Sequence, residues 1–158
     1  VMSQDGQEMN GFPFNTNDDI WGSPAVADLD NDGNIEIVVS SKSKHLFILD
    51  VNGNTLVDYD AGQFLMGTPV IGNLDEDSDL EIAVGAYTGS GDIYAINYDG
   101  TDVMGFPFDF NEKVQGLALA DLDNDELILF ASSNPVIELE NFFFEPSESF
   151  IETITIKL

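Results

Sequence analysis

Four carboxylates fall within nine residues in the run Asp28-Leu29-Asp30-Asn31-Asp32-Gly33-Asn34-Ile35-Glu36, at its first, third, fifth and ninth positions. Like charges held this close repel one another unless a cation lies among them. Ca²⁺ is the cation that suits hard oxygens at short spacing, taking about six to eight of them at about 2.3 to 2.6 Å. The expected ligands are the side chains of Asp28, Asp30, Asp32 and Glu36 and the backbone carbonyl of Asn34. Gly33 is expected at positive φ, as a turn this tight requires. Zn²⁺ is disfavoured, because the chain has no cysteine and a single histidine, His45.

The pattern returns twice. Asn73-Leu74-Asp75-Glu76-Asp77-Ser78-Asp79-Leu80-Glu81 begins 45 residues after the first run, and Asp121-Leu122-Asp123-Asn124-Asp125-Glu126 begins 48 residues after the second. In the second run Asn73, Asp75, Asp77, Asp79 and Glu81 are candidate ligands. Asn73 brings a neutral oxygen there, and Ser78 replaces the glycine. In the third run Asp121, Asp123 and Asp125 remain, but the glycine is gone and nothing closes the loop. The expected order of occupancy is first, second, third. The competing reading is that these residues only make hairpin turns, as Asp and Asn often do.

Other landmarks keep the same register. Asp5-Gly6, Asn52-Gly53 and Asp99-Gly100 are 47 residues apart, and Gly11-Phe12-Pro13-Phe14 returns 94 residues on as Gly105-Phe106-Pro107-Phe108. Asp-Gly and Asn-Gly are strong hairpin signals. A period of this size points to stacked supersecondary units. Each unit reads as four short strands. The first is expected at Pro24 to Leu29, Glu36 to Ser41, His45 to Asp50 and Asn54 to Asp60. The second is expected at Pro69 to Leu74, Glu81 to Ala86, Asp92 to Asn97 and Thr101 to Phe106. The acidic run always joins the first strand to the second. An EF-hand loop is excluded, because it needs a bidentate Glu at its twelfth position and that position is Val39 or Val84, inside a strand.

The chain therefore resembles the FG-GAP or VCBS-type repeats, the calcium-binding blades of integrin-α-like β-propellers and of many secreted bacterial proteins. The residues that carry the resemblance are Ser23 to Gly33 with Glu36-Ile37-Val38-Val39, then Met66 to Val84, and Gly116 to Phe130. The resemblance implies an all-β fold, a partial propeller of four-stranded antiparallel blades, with Ca²⁺ in the loop between the first two strands of a blade. It covers residues 1–134: the tail of one blade, two full blades and half of another. Residues 135–158 read as a β-hairpin. It would open an Ig-like β-sandwich or be a divergent continuation of the third unit. The chain starts and stops within its pattern and is expected to belong to a larger polypeptide.

The charge balance narrows the partners. Four Lys and Arg stand against 30 Asp and Glu, for a net charge of −26. Nucleic acid is a poor partner, since binding needs cations against phosphates. An anionic membrane surface repels the chain likewise. No apolar run is long enough to span a membrane. Only 13 of the acids lie in the three loops, so calcium cannot account for the whole charge, and the rest are expected to form a solvated acidic surface. No catalytic residue is expected: His45 has no nucleophile-elbow sequence to serve, and nothing marks a glycosidase carboxylate pair. Trp21, Phe12, Phe14, Phe106 and Phe108 are expected in core or inter-blade packing, although such rings can also stack on sugars.

The function expected from this reading is a secreted or cell-surface, calcium-binding, non-catalytic scaffold or adhesion module. Its partner beyond calcium would be an extracellular protein or a glycan. The alternative is a carbohydrate-binding or carbohydrate-degrading extracellular protein with the blades as substrate platform. A calcium sensor is a third class. It is disfavoured because each loop joins neighbouring strands of one sheet and offers no second element to swing open.

Overall fold

The structure is a computed structural model that describes residues 1–75, 77–88, 91–121, 127–133, 138–144 and 151–157. Its strands are β1 Ala25–Ala27, β2 Glu36–Ser40, β3 His45–Leu49, β4 Thr55–Asp60, β5 Val70–Gly72, β6 Glu81–Gly85, β7 Asp92–Ile96, β8 Phe108–Asp109, β9 Val114–Asp121, β10 Leu127–Ser133, β11 Glu138–Phe144 and β12 Ile151–Lys157. They form three four-stranded antiparallel sheets, ordered β1-β2-β3-β4, β5-β6-β7-β8 and β9-β10-β11-β12. There is no helix among the described residues, and hence none long and apolar enough to cross a membrane.

Short runs of β-branched and aromatic residues make the inner strands. β2 reads Glu-Ile-Val-Val-Ser and β3 reads His-Leu-Phe-Ile-Leu, and both are buried along nearly their whole length. Such continuous apolar runs mark strands covered on both faces. Side chains alternate across a strand, so each sheet offers two apolar faces. Val38, Leu46 and Ile48 of the first sheet meet Ile82, Val84, Tyr94 and Ile96 of the second in one core. Ala83, Ile93 and Ala95, on the opposite face of the second sheet, meet Val114, Leu129 and Ala131 of the third. The second sheet thus lies between the other two.

The main departure from the expected strands is in the second unit, where the fourth strand is Phe108–Asp109 and not Thr101 to Phe106. Asp102 makes only an isolated bridge to Ile96. The chain then turns, with Phe106 N–H donating to the Val103 carbonyl at 3.0 Å and Gly105 at φ 92°. Pro107 has no N–H to give to a ladder, and pairing resumes one residue later. Beyond β10, the strands expected within 135–158 form the hairpin β11–β12, which pairs onto β10 and belongs to the third sheet.

Four of the five landmark aromatics are partly covered. Phe14 sits edge-on to Phe47, with ring centroids 5.2 Å apart, Phe12 is half-buried, and Phe106 and Phe108 pack on the second core. Trp21 overturns the expectation of burial, being 64 % exposed. It lies outside the strands, ahead of β1, and its contact is the Lys42 ammonium 5.7 Å from the ring centroid. Among the described residues it belongs to neither core, and a cation on its face favours a ring at the surface.

Candidate metal centres

Strand pairing builds both loops from the same base. In the first sheet Ala27 pairs with Glu36, and in the second Gly72 pairs with Glu81. The ninth residue of each run therefore stands across the hairpin from the residue that precedes the first. This returns a carboxylate to the start of its own loop. Each of these glutamates reaches back to accept a hydrogen bond from the second residue's N–H: Leu29 to Glu36 Oε2 at 2.9 Å, and Leu74 to Glu81 Oε2 at 2.5 Å.

In the first loop Asp28, Asp30 and Glu36 place carboxylate oxygens within 4.8 Å of one another. Gly33 has φ 90°, as its place in the turn requires, and its N–H donates to Asp28 Oδ2 at 3.0 Å. The other Asp28 oxygen, Oδ1, is buried and has no hydrogen-bond partner. The Asp32 carboxylate is not part of this triad. Asp32 is exposed and accepts from both the backbone N–H and the side-chain amide of Asn34, at 2.7 and 2.8 Å. Those bonds hold its carboxyl below the ordinary aspartate range.

The second loop brings Asp75, Asp77 and Glu81 together within the same 4.8 Å. Asp77 N–H donates to Asp75 Oδ1 at 2.9 Å and Asp79 N–H to Asp77 Oδ1 at 2.8 Å. Asn73 spends its amide nitrogen on the Asp77 carbonyl, so it braces the loop. Ser78 is not among the described residues with positive φ, so the serine in the glycine's place bears no left-handed strain. Asp79 lies outside the triad, accepting from the Ser78 hydroxyl at 3.4 Å.

The third run differs at its root. Asp121 is itself paired, to Leu127, where the other two hairpins have an unpaired aspartate or asparagine. Five residues separate that pair, against eight between Ala27 and Glu36. Asp123 and Asp125 lie outside the described residues.

Burial and charge act together on the closing glutamates. Glu36 is 8 % exposed and Glu81 is fully buried. Burial raises the Glu36 carboxyl above its ordinary value, and the charges of Asp30, Asp32 and Asp28 add to the rise. The Glu81 carboxyl is pushed up to about 7, first by burial and then by Asp75 and Asp77. One of its oxygens, Oε1, is buried with no hydrogen-bond partner. A buried carboxylate oxygen without a donor is costly. A divalent cation among three such groups removes that cost, so both donor sets, all oxygen and triply anionic, fit a hard metal ion.

His45 lies in β3, away from both loops. Its Nδ1 is 2.5 Å from Asp58 Oδ1, and its ring stacks on Phe47 at 5.7 Å.

The loop turn gives a direct check. Gly33→Ala meets no atom within 4 Å, so its cost is backbone strain alone, about 1 to 2 kcal/mol for an L-residue held in the left-handed region. Denaturant unfolding should show a lower midpoint with an unchanged slope. An unaltered midpoint would mean that the loop relaxes freely.

No protein-family model matches this chain, and no curated protein is found similar to it.

Proposed function

We propose that this chain is a calcium-stabilised segment of an FG-GAP or VCBS-type β-propeller, acting outside the cell as a non-catalytic scaffold or adhesion module. The observation that carries the calcium reading is the pairing of each acidic triad with a buried carboxylate oxygen that has no donor, Asp28 Oδ1 in one and Glu81 Oε1 in the other. Asp28, Asp30 and Glu36 would hold one ion, and Asp75, Asp77 and Glu81 a second. The ion supplies charge compensation for three carboxylates at the base of a hairpin and locks the first two strands of the first and second sheets. Repetition of the four-stranded sheet, stacked face to face through two cores, supports the blade reading.

Both loops connect neighbouring strands of one sheet, so an ion there fixes geometry and does not trigger a switch. Extracellular calcium modules are commonly weak, with Kd on the order of 10⁻⁴ to 10⁻³ M. Such sites stay filled only where calcium is always abundant, which supports a secreted or surface location. A calorimetric calcium titration tests the proposal: two ions should bind, and Asp30→Ala should abolish one of them. Failure to bind, or unchanged affinity in Asp30→Ala, would end the metal reading. Submicromolar affinity with a large change in solution scattering would favour a sensor.

One observation favours the carbohydrate-binding alternative, the 64 % exposure of Trp21. A glycan array separates the two readings, because a sugar-binding platform should lose its signal in Trp21→Ala.

A further inference from the structure

The two loops are joined to each other as well as to their own strands. Leu29 lies between Asp28 and Asp30. Its N–H donates to Glu36 Oε2 at 2.9 Å, and its carbonyl accepts the Leu80 N–H at 2.8 Å. Leu80 lies between Asp79 and Glu81, so one residue, Leu29, links the closing carboxylate of the first triad to the backbone beside the closing carboxylate of the second. A parallel link runs from the Asn31 side-chain amide to the Ser78 carbonyl. Leu29 is fully buried, and Leu80 packs on the same core, so the linking residue is held in place by the interface between the first two sheets.

We propose that the two sites bind their ions cooperatively, filling of one raising the affinity of the other through the Leu29 backbone and the Asn31 amide. This rests on the calcium reading above. Each triad without an ion holds three mutually repelling carboxylates and favours a loosened loop. An ion that orders residues 28–32 also fixes the Leu29 carbonyl and the Asn31 amide that hold residues 78–80, so the second ion has less left to order. Repulsion between the two cations opposes this. Salt screens it in part at physiological ionic strength. Coupling must be reciprocal, since it is a free energy shared by both sites.

The test is a calorimetric calcium titration at physiological salt on four chains: wild type, Asp28→Asn with Asp30→Asn, Glu81→Gln, and Asn31→Gly. The first two variants each leave one site. Each remaining site should bind about fivefold more weakly than in the wild type, and by the same factor in both. Asn31 is exposed and has φ 56°, so glycine keeps the turn while removing the amide. That chain should still bind two ions, with the factor reduced to about twofold. Should a one-site variant fail to fold, the two-site isotherm of Asn31→Gly against the wild type carries the test alone. Two ions bound with the same affinities in Asn31→Gly as in the wild type would overturn the coupling and leave the metal reading standing. A wild-type chain that binds no calcium would overturn both.

Discussion

Chelating calcium from the loaded chain is expected to lower its melting temperature by about 10 to 20 °C. An ion that binds only the folded form stabilises it by about 2.7 kcal/mol when present at a hundred times Kd, and two sites double this. A domain of this size shifts by about 2 to 4 °C for each kcal/mol. The structural reason is that neither triad has an internal counter-ion. Ion pairs join Lys42 to Asp18 and Asp19, and His45 to Asp58, and none of these groups belongs to a triad. Chelation therefore leaves Glu81 buried among Asp75 and Asp77 with an oxygen that no donor reaches. Mg²⁺ should rescue poorly, because it demands octahedral geometry at a shorter distance. Differential scanning calorimetry with calcium, chelator and magnesium measures this. A melting curve that ignores all three would remove the structural role of the ion.

The strands and the acidic loops were legible because both have short-range signals. Turn residues at a fixed period bounded the strands, and the first three strands of each of the first two units lie within the expected spans, with β1 and β5 one residue short at the start and two at the end. The long acidic spacing correctly put Glu36 and Glu81 on the far side of a hairpin. What spacing could not convey was which oxygens converge. Asp32 has the same place in its run as Asp77, yet it turns away because Asn34 offers it two donors. In the second loop the residue at that place is Asp79, which gives Asp77 one backbone donor and leaves it in the triad. Burial was invisible as well. Glu36 and Glu81 were expected as ligands at the start of a strand, and only the packing of the sheets takes them out of water. The link through Leu29 and Asn31 joins residues 47 to 51 positions apart and has no local signature. Trp21 misled because a large aromatic usually buries its ring, whereas here Lys42 meets it at the surface.

On the calcium proposal, the buried glutamates should make ion uptake depend on pH, and the direction follows from Glu81. Its carboxyl is pushed up to about 7 in the folded chain, by burial first and then by Asp75 and Asp77, against an ordinary value of 4.5. In the metal-free chain the folded form keeps this proton between those two values, where the unfolded form has already released it. Stability from this group is therefore greatest below about pH 4.5, falls as pH rises towards 7, and stays low above it. Calcium reverses the trend, because the ion must displace the proton. Affinity at the second site should rise about tenfold for each pH unit up to 7 and then level off, so binding at pH 5.5 should be about thirtyfold weaker than at pH 8. Glu36 is raised in the same direction, so the first site should weaken in acid as well. Calorimetry in two buffers of different protonation enthalpy would count the proton directly: about one released per ion at the second site at pH 6, and none at pH 8. The same affinity at pH 5.5 and pH 8, with no proton released, would mean that Glu81 does not ligate the ion.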